Sequence, residues 1–428
     1  MEIIDRKLSP AFKTIDTIEM IQATEKFLTN KIPVYAINAG TQDLIKIEFL
    51  FAAGMFQQKQ PLQAATVNTM MEEGTSKMNA SEIADAVDYY GAFLETSVSQ
   101  DHASIILYTL TKHLKATLPI IEQVIKDASF PQQELVTHLT NKKQKFLVNK
   151  QKVASVARKR LTELLFGEKH PYGVNVNEED FNKINVPILK EFYKTFYTSN
   201  NCKIVLAGKI GEEVYTLLND HFGGEDWKGN ANPTVMVPQA QTTQEMKQII
   251  YREDALQSAI RIGKLIFNKT HNDYQSLQVL NAIYGGYFGS RLMSNIREDK
   301  GYTYGIGSGL VSLNNGGYFF ISTEVGVDVC ASAIHEIYFE MDRLREELVT
   351  EEELKLVKNY LLGTFLRSVD GPFAMAERFK SIMTYNLGYD YFTKYIATIK
   401  AVSASQLRDL ANQYFDKDSM VELVVGKK

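Results

Sequence analysis

Residues 189–209 read LKEFYKTFYTSNNCKIVLAGK, and residues 407–427 read LRDLANQYFDKDSMVELVVGK. The two stretches align without a gap at a shift of 218. Leu189 falls on Leu407, Phe196 on Tyr414, Val205 on Leu423, Gly208 on Gly426 and Lys209 on Lys427. Each reads as an amphipathic helix, a polar turn and an apolar strand that stops at glycine. One such unit could arise by chance. Here it closes both halves of the chain at matching positions, which predicts two homologous domains.

Between the halves, HFGGEDWKGNANPT (221–234) is rich in Gly, Asn and charge, holds the only Trp and has no period. It reads as a linker, so domains are expected at residues 1–222 and 235–428. In the first half, KIPVYAINA and LIKIEFLFAAG read as strands joined at Gly40-Thr41, followed by a helix over 61–73. NASEIADAVDYYG (79–91) reads as a helix capped by Asn79, with Glu82 completing a capping box and Gly91 as the stop. AFLETSVSQ and ASIILYTLT are alternating strands. Residues 112–127 are helical with a break expected at Pro119, two long helices fill 131–167, and GEKHPYG is a loop. The second half repeats the order. SAIRIGKLIF is a strand, DYQSLQVLNAIYG a helix ending at Gly285-Gly286, SRLMSNIRED a helix, TYGIGSGLVS and GGYFFISTEV strands, and helices fill most of 328–398. Strands and helices intermix, so the fold class is α+β: two domains, each a largely antiparallel sheet packed with helices.

The chain has 428 residues, 45% of them hydrophobic, enough for large cores. Its net charge of −4 gives no basic excess pointing to nucleic acid. Cys202 and Cys330 lie far apart in apolar surroundings and read as buried free thiols. The N-terminal MEIIDRKLSPAFK, charged at Glu2, Asp5, Arg6 and Lys7, does not read as a signal peptide. No apolar run approaches membrane-spanning length. The expectation is a cytoplasmic protein with no membrane or nucleic-acid partner.

The histidines are His102, His113, His138, His170, His221, His271 and His335, and no two lie three to five residues apart. That spacing offers no local zinc pair, and His335-Glu336 stands isolated. There is no G-x-S-x-G elbow. The stretch from Gly285 to Gly289 lacks the Lys-Ser/Thr of a phosphate loop and reads as a helix-to-helix turn. Residues 142–160 carry eight Lys or Arg, and no acid occurs from Leu135 to Thr162. The run is either the solvated face of two helices or a positive wall facing an anionic partner or peptide.

Several of these features together resemble the insulinase/pitrilysin family of zinc peptidases, the inverzincins, over nearly the whole chain. They are AAG (52–54), the helix before Gly74-Thr75, the following helix with its Gly91 stop and two strands, HPYG (170–173) and the duplicated half. Anchored on Gly74-Thr75, the resemblance puts the family's first zinc-binding His on Ala65, its Glu base on Asn68 and its second His on Thr69. The third ligand falls near Gln144 or Lys145. A methyl, a hydroxyl, an amide and an ammonium are not zinc ligands, so no metal and no metal-activated water are expected on this chain.

The same resemblance gives the second half a different meaning. NIREDKGYTYG, preceded by GGYFGSRL, places Arg297 and Tyr304 at the spacing of the family's substrate-contacting pair. Arg offers forked charged donors and Tyr a hydroxyl, both suited to a peptide carbonyl or its tetrahedral oxyanion. Arg297 is expected to end a helix and Tyr304 to begin a strand, with Gly301 turning the chain between them. In similar two-chain family members one chain carries zinc and the other the Arg/Tyr pair, and the two close as a clam shell around a chamber. The implied function is the non-zinc subunit of a heterodimeric zinc peptidase. Its partners would be a zinc-bearing homologous subunit and an extended peptide added to a sheet edge, with a homodimer possible for the isolated chain. The alternative is a structural scaffold, resembling the core subunits of a respiratory complex. An autonomous metallopeptidase would need a metal site.

Overall fold

A computed structural model describes residues 15, 17–229 and 236–428. The N-terminal charges at Glu2, Asp5, Arg6 and Lys7 and the end of the expected linker lie outside these described residues. Eleven strands form two sheets among the described residues. The first contains β1 (Thr24–Phe27), β2 (Pro33–Asn38), β3 (Leu44–Phe51), β4 (Phe93–Val98), β5 (Ala103–Leu110) and β6 (Cys202–Gly208), in the order β1-β2-β6-β3-β5-β4. The second contains β7 (Lys247–Tyr251), β8 (Gln257–Ile266), β9 (Ile306–Leu313), β10 (Gly316–Gly326) and β11 (Val421–Gly426), in the order β7-β11-β8-β10-β9. Only β2/β6 and β7/β11 pair in parallel; the other neighbours are antiparallel. With β1 set aside, the two sheets have the same strand order and sense, and the α+β architecture is as expected.

The 218-residue repeat is carried into the coordinates. Helix Val186–Phe196 and helix Ala404–Tyr414 occupy positions related by that shift. Their caps correspond too: Asn185 accepts from Ile188 N–H, and Ser403 from Gln406 N–H, satisfying an orphan donor of each first turn. Both following strands stop at a glycine in the left-handed half of backbone space, Gly208 at φ +124° and Gly426 at φ +139°. A Cβ on Gly208 would stand 2.2 Å from the Leu44 carbonyl oxygen, so the strand can pass β3 there only without a side chain.

The central strands β3, β6, β8 and β11 are buried on both faces, which explains near-continuous apolar stretches such as LIKIEFLF. One face of the first sheet, with Ile47, Phe49, Ile204 and Leu206, packs on helices of its own half. Its other face, with Ile37, Leu50, Val205 and Ala207, meets Phe365, Phe379, Ile382 and Phe392 of the second half. The second sheet reciprocates. Ile260, Ile262 and Phe319 face their own helices, while Val421, Leu423 and Val425 meet Ala157, Leu161 and Leu165 of helix Val153–Phe166. The halves thus exchange a helical layer.

Two charges inside β3 use this exchange. Lys46 and Glu48, 3% and 1% exposed, point to the face covered by helix Pro372–Met383. Lys46 Nζ meets Glu48 at 3.0 Å and also pairs with Glu377, while Lys380 Nζ reaches Glu48 and Glu377 at 2.8 Å each. Ser104 Oγ donates to Glu48 at 2.7 Å. Burial alone would raise the Glu48 pKa; Lys380 and Lys46 outweigh it and hold the carboxyl below its ordinary value. The HPYG loop is a second tie. Tyr172 Oη donates to Asp101, whose Oδ2 accepts from Asn314 N–H (3.0 Å) in the β9–β10 turn.

Two local expectations are corrected. Helix Leu114–Lys126 runs through Pro119 without a break. Proline costs an interior helix about 3 kcal/mol. Burial of Leu114, Leu118, Ile121, Val124 and Ile125 on one face outweighs that, at roughly 1.5–3 kcal/mol for each full side chain. The stretch after His221 is also not a free linker where it is described. Phe222 ends a helix, and Trp227 packs into the first core and donates from Nε1 to the Phe222 carbonyl at 3.1 Å. Cys202 and Cys330 are buried free thiols. Among the described residues no helix is long and apolar enough to cross a membrane.

Candidate substrate-contact site

Arg297 lies in the last turn of a π-helix, Met293–Asp299, and Tyr304 two residues before β9. A second π-helix, Ala282–Gly286, precedes it across the tight turn at Tyr287–Ser290. Segments of π-helix are rare and concentrate at functional sites. Gly301, at φ +66°, reverses the chain between the two residues, as the sequence predicts. The loop is held from behind. Thr303 Oγ1 donates to the Glu324 carbonyl (2.7 Å) and accepts from Thr323 Oγ1 (3.0 Å). Tyr304 is therefore presented outward on a pinned loop and is 91% exposed.

The structure brings Arg297 and Tyr304 together. The guanidinium carbon sits 5.2 Å from the Tyr304 ring centroid and 4.7 Å from that of Phe288, which is 61% exposed. Two rings thus hold the guanidinium by cation–π contact. Among the described residues no carboxylate pairs with Arg297, so its donors remain available to a ligand. Phe288 was not singled out from the sequence; its place inside the GGYFGSRL stretch was the only signal.

The degenerate motif is built differently. Helix Gln63–Met70 carries Ala65, Asn68 and Thr69, and it ends in a 3-10 turn, Met71–Glu73, before Gly74. Asn68 is 1% exposed, and its Nδ2 donates to the Ser104 carbonyl (3.3 Å) and to Tyr197 Oη (3.2 Å). The Asn68 side chain, at the position the resemblance assigns to a base, is thus turned into the core as a donor. Ala65 and Thr69 are half-buried, and Gln144 and Lys145 are exposed on helix Gln132–Gln151. On that helix His138 is pulled down to about 4 by burial, then by Lys142 and Lys145. A methyl, a hydroxyl and a donating amide do not fit Zn²⁺, and the cations Lys142 and Lys145 beside His138 would repel it. No group of three or more His, Cys, Asp or Glu placed to hold a metal occurs among the described residues. Nor does a hydrogen bond, ion pair or ring contact among them join Ala65, Asn68 or Thr69 to Arg297 or Tyr304.

The basic run divides. Lys143 pairs with Glu178 (3.3 Å), Arg160 with Glu163 and Glu168, and Lys159 lies over the Phe146 ring at 4.7 Å. Lys145, Lys150, Lys152 and Arg158 have no ion pair among the described residues. A polar cavity of about 420 Å³ lies beside the Lys46–Glu48 ion cluster and is bounded by Glu95 and Ser97 of edge strand β4.

Comparison with known proteins gives likenesses to peptidases named M16 and to proteins named zinc protease or inactive metalloprotease. Residues 183–361 match a family model described as "Peptidase M16 inactive domain". The matched span contains Arg297 and Tyr304 and excludes Ala65, Asn68 and Thr69. A protein named uncharacterized zinc protease YmxG, of Bacillus subtilis (strain 168), is 22% identical over 357 residues, 83% of this chain and 86% of the relative. A probable inactive metalloprotease, YmfF, of the same organism is 23% identical over 211 residues, 48% of each chain. The fold matches the crystal structure of a peptidase M16 inactive domain from Pseudomonas fluorescens with a TM-score of 0.85, at 22% identity, covering 95% of this chain and 98% of that one.

Proposed function

Starting from a chain that resembles the M16 peptidases and matches their inactive domain over residues 183–361, we propose that it is the non-zinc subunit of a two-chain zinc peptidase. In this reading residues 1–222 and 235–428 are its two domains, the zinc sits on a homologous partner, and the pair works in the cytoplasm. The observation that carries the reading is the contrast between the two sites. Asn68 is committed to the core, whereas Arg297 is held between two exposed rings with no counter-charge among the described residues.

Arg297 would donate charge-assisted hydrogen bonds to a carbonyl oxygen of an extended peptide, and Tyr304 Oη a neutral one. Both bonds strengthen as the carbonyl becomes an oxyanion, which is where such donors accelerate peptide hydrolysis. The rings of Phe288 and Tyr304 fix the guanidinium in advance, so little ordering is left for the reaction step.

The test is to mix the chain with a zinc-bearing M16-type chain from the same genome. Sedimentation should show a one-to-one complex, and a peptide library should be cleaved by the mixture and by neither chain alone. Cleavage by the zinc chain alone at the rate of the mixture would leave this chain without the proposed role and favour a scaffold.

A further inference from the structure

The helices of the second half border another polar pocket, half open to solvent and of about 110 Å³. That is several times the roughly 10–15 Å³ a single water needs on the same measure. Lys269, just after β8, and Arg378, on helix Pro372–Met383, both line it, with Tyr274, Gln278, Tyr391 and Tyr395. No Asp or Glu is among its described lining residues.

Neither cation has a carboxylate partner among the described residues. Lys269 Nζ donates to the Ser381 carbonyl (2.9 Å) and lies 4.6 Å from the Tyr385 ring centroid. Arg378 Nε donates to Ser368 Oγ (2.7 Å), and its Nη1 and Nη2 meet no acceptor among the described residues. The two fully buried cations among the described residues do have counter-charges: Lys46 has Glu48 and Arg261 has Glu324. Two like charges lining one half-buried pocket without an anion repel each other at a cost. The cost shows at Lys269, whose pKa burial, followed by Arg378, pulls down to about 8. A planar fork, an ammonium and phenolic hydroxyls in one lining are the donors that small oxyanions take.

We propose that this cavity binds a small oxyanion, a phosphate or a carboxylate, between Lys269 and Arg378. Arg378 belongs to the helix whose Glu377 and Lys380 grip Lys46 and Glu48 of β3. A bound anion therefore neutralises a charge on the element that straps the two halves together.

The test is thermal melting of the full chain in inorganic phosphate, in sodium acetate and in sodium chloride at equal ionic strength. Phosphate, acetate or both should raise Tm by about 2–5 °C over chloride and saturate. A phosphate-only response assigns the phosphate class, an acetate-only response the carboxylate class, and the shift should vanish in Lys269→Met and Arg378→Gln. Should Arg378→Gln not fold, Lys269→Met and calorimetry decide the matter. At pH 8.5 binding should draw a proton onto Lys269, seen as a dependence of the binding heat on buffer ionisation. Of the other groups facing it, the guanidinium of Arg378 is the second cation, and Tyr274, Tyr385, Tyr391 and Tyr395 are all shifted upward by burial and stay neutral. Equal Tm in all three salts, an undiminished shift in Lys269→Met, or binding with no proton uptake would each overturn the proposal.

Discussion

Asn68 donates both of its recorded hydrogen bonds, to the Ser104 carbonyl and the Tyr197 hydroxyl. A carboxylate there would set its charge against a carbonyl oxygen in a dry core. Asn68→Asp, nearly the same shape, should therefore lower stability by about 2–4 kcal/mol at pH 7, read as a shift of the urea midpoint. Four residues on, Glu72 is pushed up to about 7, first by burial and then by Glu73. A raised carboxyl pKa in the folded state means that its stability contribution is full below the unfolded value and is lost as pH rises through 7. Glu72→Gln should flatten the pH dependence between about 4.5 and 7. At pH 8 it should add on the order of 1–3 kcal/mol after allowance for partial solvent screening. An unchanged pH profile would show that Glu72 is ordinary in solution. At this scale the sequence made the chemistry of Ala65, Asn68 and Thr69 legible as a methyl, an amide and a hydroxyl. It did not tell that Asn68 had become a core donor, because Tyr197 lies far along the chain.

The elements divide into those with a local cause and those with a distant one. The Asn79–Glu82 capping box and the Gly91 stop were readable, since their partners lie within a few residues. Strands β3, β5, β8 and β10 were readable from apolar content. Edge strands β1 and β7 were not, since TEKF and KQIIY are short and largely exposed and carry little pattern. The two π-helices were readable as helix but not as π, because an i→i+5 register is imposed by packing rather than by propensity. Lys46 and Glu48 did leave one, two charges at alternate positions in an apolar strand, but their partners on helix Pro372–Met383 are more than 300 residues away. Glu48→Ala removes the carboxylate between two ammonium groups and leaves Lys46 buried beside Glu377 alone. It should cost about 3–5 kcal/mol by chemical denaturation. A cost below about 1 kcal/mol would mean the strap is not held by this cluster.

In the whole molecule, duplication and exchange act together. The 218-residue repeat was visible as sequence and recurs in caps, strand order and terminal glycines. The exchange of helices across the sheets was not, since each exchanged helix looks like any other amphipathic segment until its partner sheet is known. The asymmetry we propose for function follows the same division: one half has Asn68 committed to the core, and the other presents Arg297 and Tyr304. The most direct measurement compares kcat for peptide cleavage by the mixed pair with wild-type chain and with Arg297→Ala, the zinc-bearing chain unchanged. Loss of a donor to the developing oxyanion predicts a kcat lower by about 10²–10³-fold, with the complex and its zinc content intact. Cleavage at the wild-type rate by an intact Arg297→Ala complex would contradict the account.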